Sequence, residues 1–302
     1  MVLVTGGTGT MGSVLVTKLA QAGEKMRILT LPNDPHVHRV GDVNADMRYG
    51  NISNAGDVRG LCDGVTTVYH LAAIIIAFDD LLYDKINVQG TLNIVNEAKR
   101  AGVRHFIYVS SASVVYPQPT AYSNSKRTGE EMVKNSGLHF TIVRPTLVYD
   151  KIGSLEFDIF LDYLTAFAVI PFIGKGTAIK RPVFVDDINN ALVALNGNKK
   201  AYNKMYNFSG AEAISIRDFA RLCLRLMGRK KLFILLPVWL CHALSAVLGL
   251  LMKRPPLRWP VIAGMTQDAD LDPSSAIRDL GYKPARVSDK LPECFPRTSQ
   301  KK

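Results

Sequence analysis

The run Thr5-Gly6-Gly7-Thr8-Gly9-Thr10-Met11-Gly12 constrains the fold more than any other segment. It follows the apolar stretch Val2-Leu3-Val4 and opens a helical pattern from Val14 to Gln21, which Gly23 ends. Glycines permit positive φ and let backbone N–H groups approach a pyrophosphate. The N-terminus of the following helix adds partial positive charge. The spacing Gly6-x-x-Gly9-x-x-Gly12 is a variant of the dinucleotide fingerprint, in the strand–loop–helix context that fingerprint requires.

The chain continues in the same alternation. Met26 to Leu31, Val65 to Leu71, Phe106 to Val109 and Phe140 to Val143 read as strands, with helices around 88–101 and 123–135. Strands alternating with helices imply βαβ units, a parallel sheet and right-handed crossovers. The strands lack period-two alternation, which suits a sheet buried on both faces. After Asp150 the character changes to a mixed, aromatic segment, a strand-like Met205 to Phe208 and a helix from Ile216 to Met227. The expected partition is a dinucleotide-binding domain over 1–150 with return segments at about 178–212. A smaller, mainly helical substrate lobe would take 151–177 and 213–302.

An uncharged stretch from Leu232 to Met252 lies between Arg229-Lys230-Lys231 and Lys253-Arg254. Its length could span a bilayer. Pro237, His242, Ser245 and Gly249 interrupt it, however, and basic residues at both ends give no orientation signal. A buried or membrane-resting helix pair is expected, with peripheral membrane contact through 232–252.

Hydrophobic content of 47% with 21% charged residues excludes general disorder. Cys62, Cys223, Cys241 and Cys294 show no CxxC spacing, so neither a metal site nor a disulfide framework is expected, and free thiols fit a cytoplasmic location. The start Met1-Val2-Leu3-Val4 lacks a basic region and cleavage site, so no signal peptide is expected. The net charge of +11 fits a solvated basic surface or a phosphate-bearing ligand. Without a recognition helix, finger spacing or basic-aromatic run, nucleic acid is not an expected partner.

Of eleven tyrosines, only Tyr122 has a lysine four residues on, Lys126. Positions i and i+4 share a helix face. A neighbouring cation is expected to lower the tyrosine pKa, and a serine from Ser110-Ser111 could hold a substrate oxygen. Together these form a proton-transfer device for an alcohol or ketone. For the cofactor, an acid at the end of the second strand would indicate NAD and an arginine NADP. The counted positions, Thr30 and Leu31, carry neither. Asp34 could reach a ribose and Arg39 or His36 a phosphate, so NAD and NADP both stay open, with a lean to NADP.

In order, the motifs are the glycine loop, His70-Leu71-Ala72-Ala73, Asn87-Val88-Gln89-Gly90-Thr91, Ser110-Ser111-Ala112, Tyr122 to Lys126, Arg144-Pro145-Thr146 and Pro182 to Asp187. This order resembles the extended short-chain dehydrogenase/reductase superfamily, in its NAD-dependent epimerase/dehydratase group, from Met1 to about Ala194. The resemblance implies a Rossmann-type doubly wound α/β fold and a homodimer. It implies cofactor contacts from Gly6, Gly9, Thr10, Met11, Gly12, Asn51, Ile52, Leu71, Ala72, Ala73, Tyr122, Lys126 and Pro145. Asn51 departs from the aspartate usual at its position. Asn87 matches an asparagine that braces the active-site helix. Tyr122, Lys126 and Ser111 match the catalytic groups, with Ser110 and Ser113 as alternatives, since one alignment puts Ala112 at the serine.

The implied activity is NAD(P)-dependent oxidation, reduction or epimerisation of a small-molecule secondary alcohol or ketone, first a nucleotide-sugar or related sugar derivative. An apolar or lipid substrate, as in enzymes similar to 3-beta-hydroxysteroid dehydrogenases, is an alternative. Another is a non-catalytic NAD(P)-binding accessory or sensor protein. Leu147 and Phe184 replace the asparagine and histidine common in sugar-nucleotide members, while Lys180 and Arg181 could meet a phosphate.

Overall fold

Seven strands among the described residues, 1–151 and 153–295 of a computed structural model, form one parallel sheet. They are β1 (Val2–Thr5), β2 (Met26–Thr30), β3 (Ala45–Tyr49), β4 (Thr67–His70), β5 (His105–Val109), β6 (Phe140–Pro145) and β7 (Lys204–Phe208). The order is β7-β6-β5-β4-β1-β2-β3. Strand order reverses between β1 and β4, and open α/β sheets bind ligands at the carboxyl ends of such a reversal. Thr5 stands level with both Leu29 and His70, so the glycine loop leaves the sheet at that crevice.

The α-helices of eight or more residues among the described ones are α1 (Thr10–Gln21), α2 (Gln89–Arg100), α3 (Ala121–Lys134), α4 (Leu155–Ala166), α5 (Val185–Val193), α6 (Ile216–Leu226), α7 (Val238–Leu251) and α8 (Trp259–Thr266). Alternate strand residues face opposite layers. Val2 and Val4 pack with Leu15 and Leu19 of α1 and Ile188 and Leu192 of α5. Leu3 and Val68 pack with Ile94 and Ala98 of α2 and Val133 of α3. Each such fully buried aliphatic side chain contributes about 1.5–3 kcal/mol. A third core joins Phe157 and Leu164 of α4 to Phe219 and Leu224 of α6 in the smaller lobe.

Two elements differ from the sequence reading. The strand Ala45–Tyr49 is unannounced by its pattern, because it sits at the sheet edge with no buried residue. The Arg27–Asp46 pair, 2.7 Å apart, holds it to β2. The stretch from Leu232 is not a helix pair. Leu232–Leu236 is a strand, parallel to Val169–Ile173, and only the second half is helical. Pro237 separates the two: it cannot donate to a ladder, yet it serves as the N-cap of α7. No helix among the described residues is long and apolar enough to cross a membrane.

Candidate active site

Two neighbouring elements carry Tyr122, Lys126 and Ser111: helix α3 holds the first two, and the turn after β5 holds Ser111. Helix α3 starts at a capping box: Thr120 Oγ1 accepts from Ser123 N (3.1 Å), and Ser123 Oγ accepts from Thr120 N (2.7 Å). That box fixes the first turn, and with it Tyr122. Asn87 braces the same helix, donating from Nδ2 to Ser125 Oγ (2.9 Å) and to Ile74 O (3.0 Å). Its Oδ1 accepts from Ile74 N at 2.8 Å. One side chain thus ties α3 to the loop after β4.

Ser111 caps a single 3-10 turn, Ala112–Val115, by accepting from Ser113 N at 3.2 Å. Its hydroxyl lies 3.0 Å from that of Ser113 and near enough to the Tyr122 phenol to favour the ionised form. Ser110 is engaged elsewhere, donating to Glu130 Oε1 at 2.6 Å, and Ala112 is buried. Arg144 grips the same carboxylate from Nε (2.8 Å) and Nη2 (2.5 Å). Burial pushes Glu130 up, but the Arg144 and Ser110 bonds outweigh it and hold the carboxyl below its usual range. The network fastens α3 to the ends of β5 and β6.

Lys126 is buried, with Nζ 4.3 Å from the centroid of the Tyr108 ring. Burial pushes its pKa down to about 7, against an opposing pull from Glu130. Gly129 makes room for this packing, since a Cβ there would lie 2.1 Å from Tyr108 Oη. The expected lowering of the Tyr122 pKa by Lys126 does not occur in the ligand-free protein. Tyr122 keeps some accessible surface but is walled in by protein, and that burial drives its phenol above the ordinary value. The Glu156 carboxylate adds to the rise, and the group pulling the other way is Ser111.

The glycine loop fits a dinucleotide. Gly6 has φ +73°, and a Cβ there would come 2.7 Å from Ala72 N. A Cβ on Gly12 would come 2.0 Å from Gly6 O. Gly9 caps α1 without any side-chain hydrogen bond, which leaves the first helical N–H groups to a ligand. Thr10 reaches the smaller lobe by donating to Gly153 O at 3.4 Å, and half-buried Met11 touches the cores of both lobes. Leu71, Ala72 and Ala73 are half-buried beside the loop, and Pro145 is buried at the end of β6. Asn51 Oδ1 is used locally, accepting from Ser53 N and Oγ, both at 2.9 Å. Ile52 is buried against Gly90, where a Cβ would come within 2.6 Å of it.

Asp34, left open in the sequence as a ribose partner, is held against the glycine loop. Its carboxylate accepts from Thr8 Oγ1 in the glycine loop (2.6 Å) and from Thr30 Oγ1 (2.9 Å). Burial pushes it up, but the bonds from Thr8, His36 N and Thr30 prevail and keep it ionised below the usual range. An anion there suits ribose hydroxyls and repels a 2′-phosphate. Glu130 was missed, although it lies i+4 from Lys126 on one helix face. Lys180 and Arg181 are already engaged. Lys180 Nζ donates to Gln267 O (2.6 Å) and Tyr116 Oη (3.0 Å), and Arg181 pairs with Asp270 at 2.5 Å. No group of three or more His, Cys, Asp or Glu able to hold a metal occurs among the described residues.

Residues 2–208 match the NAD dependent epimerase/dehydratase family. The chain belongs to that family. It is an NAD-dependent enzyme of the extended short-chain type, and the lean to NADP is not supported. The chain is 24% identical to a UDP-glucose 4-epimerase of Vibrio cholerae, over 99% of this chain and 94% of that one. It is 26% identical to a 3-beta-hydroxysteroid dehydrogenase of Mycolicibacterium neoaurum, covering 98% and 90%. A dTDP-glucose 4,6-dehydratase of Streptomyces venezuelae, solved with NAD bound, shares the fold at TM-score 0.78 and 21% identity, covering 98% and 95%.

Proposed function

We propose that the protein catalyses NAD-dependent hydride transfer at a secondary alcohol or its ketone, with Tyr122 moving the hydroxyl proton. The observation that carries this reading is the Ser111 hydroxyl beside the Tyr122 phenol, one helical turn from buried Lys126. Gly6, Gly9, Thr10, Met11 and Gly12 would hold the pyrophosphate and Asp34 a ribose. Asn51 and Ile52 would lie toward the adenine, Leu71, Ala72 and Ala73 would line the cofactor at the end of β4, and Pro145 would flank the nicotinamide. NAD, when bound, supplies the hydride chemistry.

The chain's own residues supply the rest. Ser111 donates to the substrate oxygen and fixes its direction. Tyr122 takes the hydroxyl proton at its Oη on oxidation and returns it on reduction. Lys126 opposes the cost of a buried phenolate. Release of the ketone gives net dehydrogenation; retention, with return of hydride to the opposite face, gives epimerisation.

The dinucleotide-binding part is 1–150 with returns at about 178–212, and the remainder forms the substrate lobe. A nucleotide-sugar or related sugar derivative is the first substrate class, on the activity named for the Vibrio cholerae relative. An apolar alcohol is the second, favoured by the engagement of both cations within the protein: Lys180 donates to Gln267 O and Tyr116 Oη, and Arg181 pairs with Asp270. A cytoplasmic homodimer completes the reading, from the family resemblance and the free cysteines.

Nicotinamide absorbance tests the proposal, with NAD and a panel of nucleotide-sugars and sterol-type alcohols. Tyr122→Phe should retain NAD binding and lose a factor of about 10² or more in turnover. Unchanged turnover in that variant refutes the assignment. NAD binding by the wild-type chain without turnover on any substrate favours an accessory or sensor role instead.

A further inference from the structure

Helix α7 carries no Lys, Arg, Asp or Glu and is apolar apart from His242 and Ser245, yet Cys241 is its only buried residue. A helix apolar all round belongs in a core or in lipid. Leu250 is 88% exposed, Leu251 77% and Trp239 71%, and on the preceding strand Leu232 is 74% exposed. Soluble proteins rarely leave so large a contiguous apolar surface bare, and such patches mark protein or membrane contacts.

The surrounding charge selects between those partners. From Phe219 to Gln267 the sequence has eight Lys or Arg and no Asp or Glu. Cations stand at both ends of the apolar segment: Arg229 and Lys230 before it, Lys253 and Arg254 after it, all exposed. An apolar segment with a cationic rim at each end complements acyl chains beneath anionic headgroups. It does not complement a second copy of itself, because the rim would meet an identical rim.

The far end of this surface is bolted to the candidate active site. Arg258 donates to Ala77 O and lies 4.3 Å over the Phe78 ring. Trp259 Nε1 donates to Pro119 O at 3.0 Å, three residues before Tyr122. We propose that α7 and the strand Leu232–Leu236 form an interfacial docking face for an anionic lipid bilayer. Docking there seats the loops around Ala77 and Pro119 close to the headgroups.

Co-sedimentation of the full chain tests this, with vesicles of phosphatidylcholine alone or mixed equally with phosphatidylglycerol. The protein should pellet with the mixed vesicles, and less so at high salt. Its tryptophan emission should shift to the blue, and Trp239→Phe should remove that shift. Leu250→Glu with Leu251→Glu, and separately Lys253→Glu with Arg254→Glu, should each weaken binding at least tenfold. An unchanged thermal melt and NAD affinity show that these variants are folded. The proposal is overturned if wild type stays in the supernatant with mixed vesicles. It is equally overturned if, without lipid, the chain is a dimer that Leu250→Glu with Leu251→Glu dissociates. Neither readout uses turnover, so failure here leaves the hydride-transfer reading standing.

Discussion

Asp34 lies four residues beyond Thr30, where counting from Gly23 places the ribose-binding acid. The chain turns back after β2, so the carboxylate lands on Thr8 and Thr30 together. Linear spacing hides such a turn, so the sequence alone left Asp34 one option beside Arg39 and His36, with a lean to NADP that is not supported. Asp34→Arg should weaken NAD binding at least tenfold and strengthen NADP binding, as titration calorimetry can measure; an unchanged preference would remove Asp34 from the ribose site. Lys126 gives a second prediction. Folding lowers its pKa from 10.5 to about 7. Between those values the unfolded chain holds a proton that the folded chain has released, so stability rises with pH there. The contribution is complete above the unfolded value and is lost as pH falls to about 7. Lys126→Met should therefore stabilise the ligand-free protein at about pH 6, and progressively less toward about pH 9.5, in denaturant titrations. A gain independent of pH would show that Lys126 titrates normally. The pair Tyr122/Lys126 was legible because a helix fixes i and i+4 in space. Its electrostatics were not, because burial is a property of the packed state.

Helix α3 holds its place through one absent side chain and one buried ion pair. Gly129 lets Tyr108 sit beneath the helix, and Lys126 lies on that ring. Gly129→Ala should cost about 1–3 kcal/mol by overpacking and should lower turnover, because the ring that seats Lys126 must shift. Thermal melts and activity together check this: a stable variant with full turnover would mean that Tyr108 moves freely. Elements buried on both faces, such as β1 and β4, were readable as apolar runs. The edge strand β3 was not, since one neighbouring strand and the Arg27–Asp46 pair suffice for it. The apolar run from Leu232 misled for a different reason. Composition says that such a segment avoids water, but Pro237 divides it between a ladder and a helix, and only the fold shows α7 standing uncovered.

At the scale of the whole molecule, several hydrogen bonds join the helical C-terminal region to the segments around the sheet. Gln118 and Gln267 exchange two, at 2.7 and 2.8 Å. Ser209 donates to Leu271 O at 2.6 Å, and Trp259 reaches Pro119. Both tryptophans, Trp239 and Trp259, lie in the C-terminal lobe, whereas the glycine loop and Asp34 lie in the N-terminal one. Tryptophan emission thus reports the region that does not carry the glycine loop. A ligand at a hundred times its dissociation constant stabilises the folded state by about 2.7 kcal/mol. For a chain of this size that raises the melting temperature by roughly 5–10 °C. If the interlobe bonds make unfolding cooperative, NAD should shift the tryptophan melt and the far-ultraviolet circular dichroism melt by the same amount. A tryptophan transition that stays in place while the dichroism transition moves would mean that the lobes unfold separately. In that event the bonds between the two regions do not couple their unfolding.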